Sequence, residues 1–298
     1  MAHIKIEHER GVEPELVTFA RDQVLVASDG TKFELGSMIY GGEGGNGLVF
    51  RATRRGGMGV KCAIKILRRL DGQRIDRFHN EVEVLKQLNH EHICGYYGHG
   101  EIKTQKGEPA PWVAVDVGGE NLRLHVDTRG CLPPRLVGLV GRQMCSALTH
   151  VHAKGLIHRD LKPANFVWTE SPDQKRVLLI DFGLAKRVGV DTAGRPLDQF
   201  TQHNEFVGPV FYSSQELIDY AKDKSTLVDH RSDLFQLGRV LWFLATGTPG
   251  AGIPSKKRDP SGGLLYDLVM QLLLDEPDDR LSDLVVIDKA LEAIAVET

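Results

Sequence analysis

The sequence has little of what marks secreted, membrane-spanning or nucleic-acid-coating proteins. Its 298 residues contain four cysteines without C-x-x-C spacing, too few in a chain of this length for a disulfide framework. No apolar run approaches the roughly 20 residues that cross a bilayer, and the N-terminus alternates charged and apolar residues. The charges nearly balance, with 37 Lys and Arg against 40 Asp and Glu. We therefore expect a folded cytoplasmic protein with neither a nucleic-acid nor a membrane partner, whose oligomeric state the sequence leaves undefined.

Glycine is abundant by contrast, and many of its 32 residues fall in two clusters, 41–47 and 56–59. In the first, residues 42–49 read G-E-G-G-N-G-L-V and match G-x-G-x-x-G-x-V, a turn whose backbone N–H groups can close over phosphate oxygens. Alone, the pattern is more typical of an ordinary hairpin. Strand-like residues on both sides argue against a dinucleotide-binding turn, which needs a helix directly after it.

Hydrophobic periodicity divides the chain into a β-rich first part and a helical second part. An Asp-Gly turn within 23–35 predicts a leading hairpin, and apolar spacing over 75–88 predicts one prominent helix. Ser232 is a plausible N-cap for a central helix in the second part. We predict four regions: an N-terminal extension with the hairpin at 1–35, a β-rich lobe at 36–115, a link at 116–121 and a mainly helical lobe at 122–298.

Lys65 ends the strand-like segment Cys62–Lys65, where small and apolar neighbours leave an ammonium group in need of a partner. Glu81 on the predicted helix can supply the opposite charge. A glutamate on a solvated helix surface fits this one observation equally well.

The segment from His158 to Asn165 reads H-R-D-L-K-P-A-N, and D-F-G follows at residues 181–183. With these motifs the whole chain resembles the eukaryotic-type Ser/Thr protein kinases. The glycine cluster looks like their glycine-rich loop, Cys62–Lys65 like their V-A-I-K strand, and the two segments like their catalytic and metal-binding loops, all in the family's order.

The resemblance implies an α+β, bilobal protein-kinase-like fold that uses ATP and Mg²⁺ to phosphorylate Ser or Thr hydroxyls of a protein substrate, with autophosphorylation. Asp160 would accept or orient the acceptor proton, Lys162 would reach the γ-phosphate, and Lys65, fixed by Glu81, would hold the α- and β-phosphates. Asn165 and Asp181 would hold Mg²⁺. The positions expected to contact the nucleotide are Gly42, Gly44, Gly47, Val49, Ala63, Lys65, Asp116, Val117 and Val167.

Two observations concern the segment after Asp181, and the first is a departure from the family pattern. Pro209 stands where Ser/Thr kinases usually carry a threonine that helps to align the catalytic groups, which makes the choice of acceptor hydroxyl less secure. Arg159 precedes the catalytic aspartate, and in the family this arginine often pairs with a phosphate on the activation segment. We therefore predict regulatory phosphorylation at Thr201 or, less favoured, at Thr192.

Two other functions compete with protein phosphorylation: an ATP-binding scaffold without phosphoryl transfer, and a small-molecule phosphotransferase. The complete set of catalytic motifs argues against the scaffold. By the resemblance, Glu216 and Arg280 form a buried pair and Asp233 holds the backbone of the catalytic loop. The pair, together with the activation segment, argues against the small-molecule enzyme.

Overall fold

The computed structural model describes residues 2–8, 12–20, 22–39, 47–56, 59–169, 176–187, 210–248 and 252–297. The chain divides into two compact units. The first comprises Met1–Asn89 and Cys94–Gly118, and the second comprises His90–Ile93 and Gly119–Thr298. The division after Gly118 falls inside the predicted link at 116–121.

Within the residues that the structure describes, the first unit contains eight strands and one helix. Its strands are β1 (Ala2–Ile6), β2 (Glu15–Phe19), β3 (Val24–Val26), β4 (Lys32–Met38), β5 (Gly47–Arg54), β6 (Lys61–Leu67), β7 (Tyr96–Ile102) and β8 (Ala110–Val115), and its helix is α1 (Gly72–Leu85). Strands β3 to β8 form an antiparallel sheet in the order β3-β4-β5-β6-β8-β7, and β1 pairs with β2. The predicted leading hairpin is β3-β4.

Helix α1 begins three residues before the predicted helix because Asp71 caps it. The Asp71 side chain accepts a hydrogen bond from the Arg74 N–H, which satisfies one of the first unpaired donors of the helix. Phe78, Val82 and Leu85 are buried at helical spacing.

The N-terminal residues, for which the sequence offers no role, are part of the first unit. Ile4, Ile6 and Phe19 from the β1-β2 hairpin are buried in the same core as the six-stranded sheet. Backbone hydrogen bonds fix the hairpin beside the end of β6: the Glu7 N–H donates to the Arg68 carbonyl and the Leu70 N–H to the Glu7 carbonyl, both at 2.7 Å.

The second unit is mainly helical. Its strands are β9 (Gly118–Asn121), which starts at the boundary, β10 (Leu156–Ile157), β11 (Phe166–Thr169), β12 (Val177–Leu179) and β13 (Lys186–Arg187), and its helices are α2 (Leu122–Arg129), α3 (Pro134–Ala153), α4 (Gln215–Lys222), α5 (Arg231–Thr246), α6 (Leu264–Leu272) and α7 (Leu284–Glu297). The strands form two small sheets, β10-β13 and β12-β11-β9. None of the helices within the described ranges has both the length and the apolar character required to traverse a bilayer.

Helix α5 is the centre of the second unit, with 13 buried residues among its 16. Beside it, α3 approaches α7 so closely that a Cβ on Gly138 would lie 2.6 Å from the Leu291 carbonyl oxygen, which accounts for a glycine inside a helix. The N-cap of α5 is His230, so the assignment of Ser232 as the cap is wrong. The Ser232 hydroxyl lies inside the first turn and donates instead to Glu216 at 2.7 Å.

Candidate active site

Lys65 and Glu81 form the ion pair that the sequence predicts. The Lys65 Nζ lies 2.8 and 2.7 Å from the two carboxylate oxygens of Glu81, so both oxygens are engaged. Glu81 is buried on α1, whereas the Lys65 side chain keeps 26% of its surface exposed. The pair therefore fixes the ammonium group without enclosing it.

The antiparallel register places the predicted nucleotide contacts on β5 and β6 on one face of the sheet. Val49 on β5 lies directly opposite Lys65, and Ala63, two residues before Lys65, points to the same side. Gly47 begins β5 so close to β6 that a Cβ there would lie 2.8 Å from the Ile66 carbonyl oxygen. Gly42 and Gly44 lie outside the described residues.

Asp116 and Val117 follow β8, where the resemblance places backbone contacts to adenine. The Asp116 carboxylate accepts hydrogen bonds from the Gly95 N–H at 2.8 Å and the Tyr97 hydroxyl at 2.6 Å. The Asp116 N–H itself donates to the Gly95 carbonyl. The side chain of Asp116 thus stabilises the link locally, and the adenine contact stays a prediction.

Asp160 is the centre of the polar network in the second unit. Its carboxylate oxygen Oδ2 accepts from the Lys162 Nζ at 2.6 Å and from the Asn165 amide at 3.1 Å, and the same amide donates to the Asp160 carbonyl at 2.8 Å. Burial raises the pKa of Asp160 above its ordinary value, and the charge of Lys162 opposes this rise. The network holds a carboxylate in a fixed orientation, as a group that orients or accepts a proton must be held.

Asp233 anchors the backbone of the catalytic loop, as the sequence predicts. It is fully buried on α5 and accepts from the His158 N–H at 2.9 Å and the Arg159 N–H at 2.8 Å. Burial alone would raise its pKa, but the hydrogen bond from His152 and the nearby imidazoles lower it below the ordinary value. Asp233 is thus held as an anion that binds two backbone donors.

Sequence reasoning missed two side chains that complete this anchor. The His152 Nε2 lies 2.8 Å from Asp233, and Gln236 both accepts from the Leu161 N–H at 2.9 Å and donates to the Arg159 carbonyl at 3.1 Å. Gln236 lies three residues after Asp233 on a helix, and this spacing was the available signal for it.

Asp181 lies beside the catalytic loop in the second unit. The Ile180 N–H donates to the Asn165 carbonyl at 2.9 Å, and the Phe182 ring lies edge-on to His158 with centroids 4.8 Å apart. Asp181 itself has a φ of 65°, a left-handed conformation that is uncommon for residues with a side chain. Val167, on the neighbouring strand β11, is buried.

The donor set of this region fits Mg²⁺. The ion prefers oxygen ligands and usually takes one or two protein groups plus substrate phosphates. Asp181 supplies a carboxylate. The Asn165 amide nitrogen is turned toward Asp160 by its two hydrogen bonds, which directs the amide oxygen away from that residue.

Glu216 and Arg280 form the predicted buried pair. The guanidinium donates to both carboxylate oxygens at 2.8 and 3.3 Å, and also to the carbonyls of Arg231, Leu274 and Asp275. Burial opposes ionisation of Glu216, but the hydrogen bonds from Arg280 and Ser232 keep its pKa below the ordinary value.

Arg159 lies among groups that the sequence did not assign to it. Its Nε donates to the Leu184 carbonyl at 2.8 Å, and its guanidinium carbon lies 5.3 Å from the ring centroid of Tyr220. Thr192 and Thr201, the predicted phosphorylation sites, lie outside the described residues, as does Pro209. Phosphorylation there stays a prediction.

Comparison with known proteins identifies the family. A family model described as protein kinase domain matches residues 40–261, well over half of the chain. The chain therefore belongs to the protein kinase domain family. The match begins directly before the glycine cluster at 41–47 and includes the motifs that contain Lys65, Asp160 and Asp181.

Curated relatives are named as serine/threonine kinases. Serine/threonine-protein kinase PknB of Mycobacterium leprae is 34% identical over 174 residues, which are 58% of this chain and 26% of the relative. Proteins named probable serine/threonine-protein kinase PknB from Corynebacterium glutamicum and Bifidobacterium longum are each 33% identical, over 73% and 74% of this chain and 32% and 31% of the relatives. The chain thus spans about a quarter to a third of the length of these relatives.

Proposed function

We propose that this chain transfers the γ-phosphoryl group of ATP to serine or threonine hydroxyls of a protein, its own chain included. The observation that carries the proposal is the buried Asp160 carboxylate with Lys162 at 2.6 Å and Asn165 at 3.1 Å. Family membership and the names of the relatives support the same function.

Phosphoryl transfer passes through a loose transition state, so the protein contributes mainly positioning and charge neutralisation. Asp160 would orient the acceptor hydroxyl and accept its proton as the hydroxyl oxygen bonds to the γ-phosphorus and the bond from that phosphorus to the ADP oxygen breaks, releasing ADP. Lys162, already paired with Asp160, would place a positive charge beside the transferred group. The burial of Asp160 favours this role, because a raised pKa makes its carboxylate a better proton acceptor.

The remaining residues would bind and orient the nucleotide. Lys65, held by Glu81, would bind the α- and β-phosphates, and Val49, Ala63 and Val167 would contact the adenine. Asn165 and Asp181 would hold Mg²⁺, which when bound supplies charge neutralisation at the phosphate oxygens.

The test compares wild type with Asp160→Ala and a control variant, Asp127→Ala. Each protein is incubated with radiolabelled ATP, Mg²⁺ and a generic protein substrate, and the rate of protein labelling is measured. Asp127 pairs with Arg123 and is well exposed, so its loss removes a carboxylate outside the network. We expect the control to label like wild type and Asp160→Ala to lose at least about 10²-fold in rate. Equal background labelling of all three proteins would contradict the proposal.

Nucleotide binding separates a failed catalyst from a scaffold. Because Asp160 is not the principal metal ligand in this scheme, Asp160→Ala should still bind Mg-ATP, measured as a rise in melting temperature on adding nucleotide. Labelled phosphate should be recovered on serine or threonine, and recovery only on tyrosine or on a small molecule would overturn the assignment of the acceptor.

A further inference from the structure

Tyr220 lies at the centre of a cluster of three cations in the second unit. The Lys186 Nζ donates to its hydroxyl at 2.8 Å and lies 4.6 Å from its ring centroid. Arg159 lies 5.3 Å from the same centroid and the Lys224 Nζ 4.3 Å from it. Tyr220 is buried, with an exposed fraction of 8%, whereas Arg159 and Lys186 are partly buried and Lys224 is exposed. An aromatic face attracts cations more strongly when they are desolvated.

The cations around Tyr220 come from segments that carry the catalytic groups. Arg159 directly precedes Asp160, and its Nε binds the carbonyl of Leu184, three residues after Asp181. Lys186 lies on β13, which pairs with β10 immediately before the catalytic loop. A group that holds Arg159 and Lys186 therefore ties the catalytic loop to the segment that follows Asp181.

Three neighbouring cations repel one another, so an electron-rich group between them stabilises the cluster. Burial lowers the pKa of Arg159, and Tyr220 acts in the opposite direction. Burial also lowers the pKa of Lys186, and the charges of Arg159 and Lys224 lower it further. Burial opposes ionisation of the phenol as well, yet the hydrogen bond from Lys186 and the charge of Arg159 lower the pKa of Tyr220 to about 8. Asp233 on α5 also acts on Arg159.

We propose that Tyr220 is a positioning residue for phosphoryl transfer, supplying from the chain itself an electron-rich partner that holds Arg159 and Lys186 in place. The family often assigns that task to a phosphate on the activation segment. Tyr220 makes such a phosphate dispensable for activity, whether or not one is added to Thr201 or Thr192. The inference rests on the proposed kinase function.

The closing experiment compares Tyr220→Phe and Tyr220→Leu with a matched control, Tyr266→Phe. Tyr266 lies on α6 with the Lys256 Nζ 5.6 Å from its ring centroid, so the control also removes a hydroxyl from a tyrosine whose ring faces a lysine. We expect Tyr220→Phe to keep its melting temperature and its KM for ATP while kcat falls roughly 10-fold, because the hydroxyl acts on positioning and not on nucleotide binding.

The pH profile supplies a readout that a purely structural role would not move. As the phenol ionises near pH 8, its attraction for Arg159 and Lys186 grows, so wild-type kcat should rise between pH 7 and 9. Tyr220→Phe should lack this rise, and Tyr266→Phe should retain it. Identical profiles for wild type and Tyr220→Phe would overturn the proposal.

Two further measurements separate this proposal from neighbouring ideas. A Thr192→Ala/Thr201→Ala double variant should retain kcat within about 3-fold, and a loss of 10-fold or more would assign the role to a phosphate and overturn our proposal. Amide hydrogen exchange in residues 156–165 should be faster in Tyr220→Leu than in Tyr266→Phe. If exchange in residues 156–165 is the same in Tyr220→Leu and Tyr266→Phe, the role of Tyr220 is overturned, whatever the activity. If exchange is faster in Tyr220→Leu but the wild type is inactive, the proposed function is overturned instead.

Discussion

Arg280 in the second unit and Lys65 in the first each donate to a glutamate, but their surroundings differ. The Arg280 side chain is 0% exposed and its partner Glu216 is 9% exposed, and three backbone carbonyls accept the remaining donors of the guanidinium. The Lys65 side chain is 26% exposed and donates to both carboxylate oxygens of Glu81. One cation is enclosed by its own chain, and the other remains accessible to solvent.

This difference separates a structural pair from a pair suited to a ligand. A buried charge that loses its partner is strongly destabilising, because neither water nor another group replaces the lost interaction. A partly exposed charge recovers part of its solvation when its partner is removed, so the loss of that partner costs less stability. We therefore expect Glu216 to matter for folding and Glu81 to matter for catalysis.

The largest effect should follow from Glu216→Gln. The substitution leaves the Arg280 guanidinium buried without a counter-charge, so the free energy of unfolding should fall by about 3 kcal/mol. For a protein of this size the melting temperature should fall by about 6–12 °C. Urea unfolding followed by circular dichroism measures both the stability and the cooperativity of the transition.

Asp278→Asn is the control for this measurement. Asp278 pairs with Arg231 near the same site, but its side chain is 92% exposed. Its loss should cost less than about 1 kcal/mol. If Glu216→Gln and Asp278→Asn lower the free energy of unfolding by similar amounts, the distinction between enclosed and accessible pairs is wrong.

Glu81→Gln should have a smaller effect on stability and a large one on activity. Gln retains an acceptor for Lys65 but removes the charge, so the free energy of unfolding should change by less than about 1 kcal/mol. In the proposed function a displaced Lys65 would no longer hold the phosphates, and kcat/KM should fall by about 10²-fold. Glu83→Gln is the matched control, since Glu83 lies on the same helix, pairs with Lys86 and is 65% exposed. If Glu81→Gln unfolds the protein as Glu216→Gln does, the contrast fails.

Much of the site could be predicted because short motifs encode it. Lys65 with Glu81, Glu216 with Arg280, and Asp233 beneath the catalytic loop all meet as the resemblance implies. The leading hairpin β3-β4 also follows from local alternation and its Asp-Gly turn. Such features depend on neighbours along the chain or on pairings that the family pattern specifies.

The parts that could not be predicted depend on packing between segments distant in sequence. Tyr220 lies 61 residues from Arg159, and no motif links the two. His152 reaches Asp233 from another helix, and the β1-β2 hairpin enters the core through Ile4 and Phe19 although it matches no part of the motif set. The prediction of Ser232 as a cap is wrong because its hydroxyl binds the carboxylate of Glu216 and not the backbone of its own helix.

The smallest expected effect concerns how the stability difference between wild type and Glu216→Gln depends on pH. The folded-state pKa of Glu216 lies below its ordinary value of 4.5 because, against the effect of burial, Arg280 and Ser232 stabilise the carboxylate. A group with a depressed pKa contributes its full stability above the unfolded pKa and loses it only as the pH falls through the folded pKa. The difference in unfolding free energy between wild type and Glu216→Gln should therefore stay constant from pH 8 to about 5.5 and shrink only below about pH 4.5. Urea titrations across this range measure it, and a difference that already closes between pH 7 and 5.5 would show that Glu216 is not held as an enclosed anion.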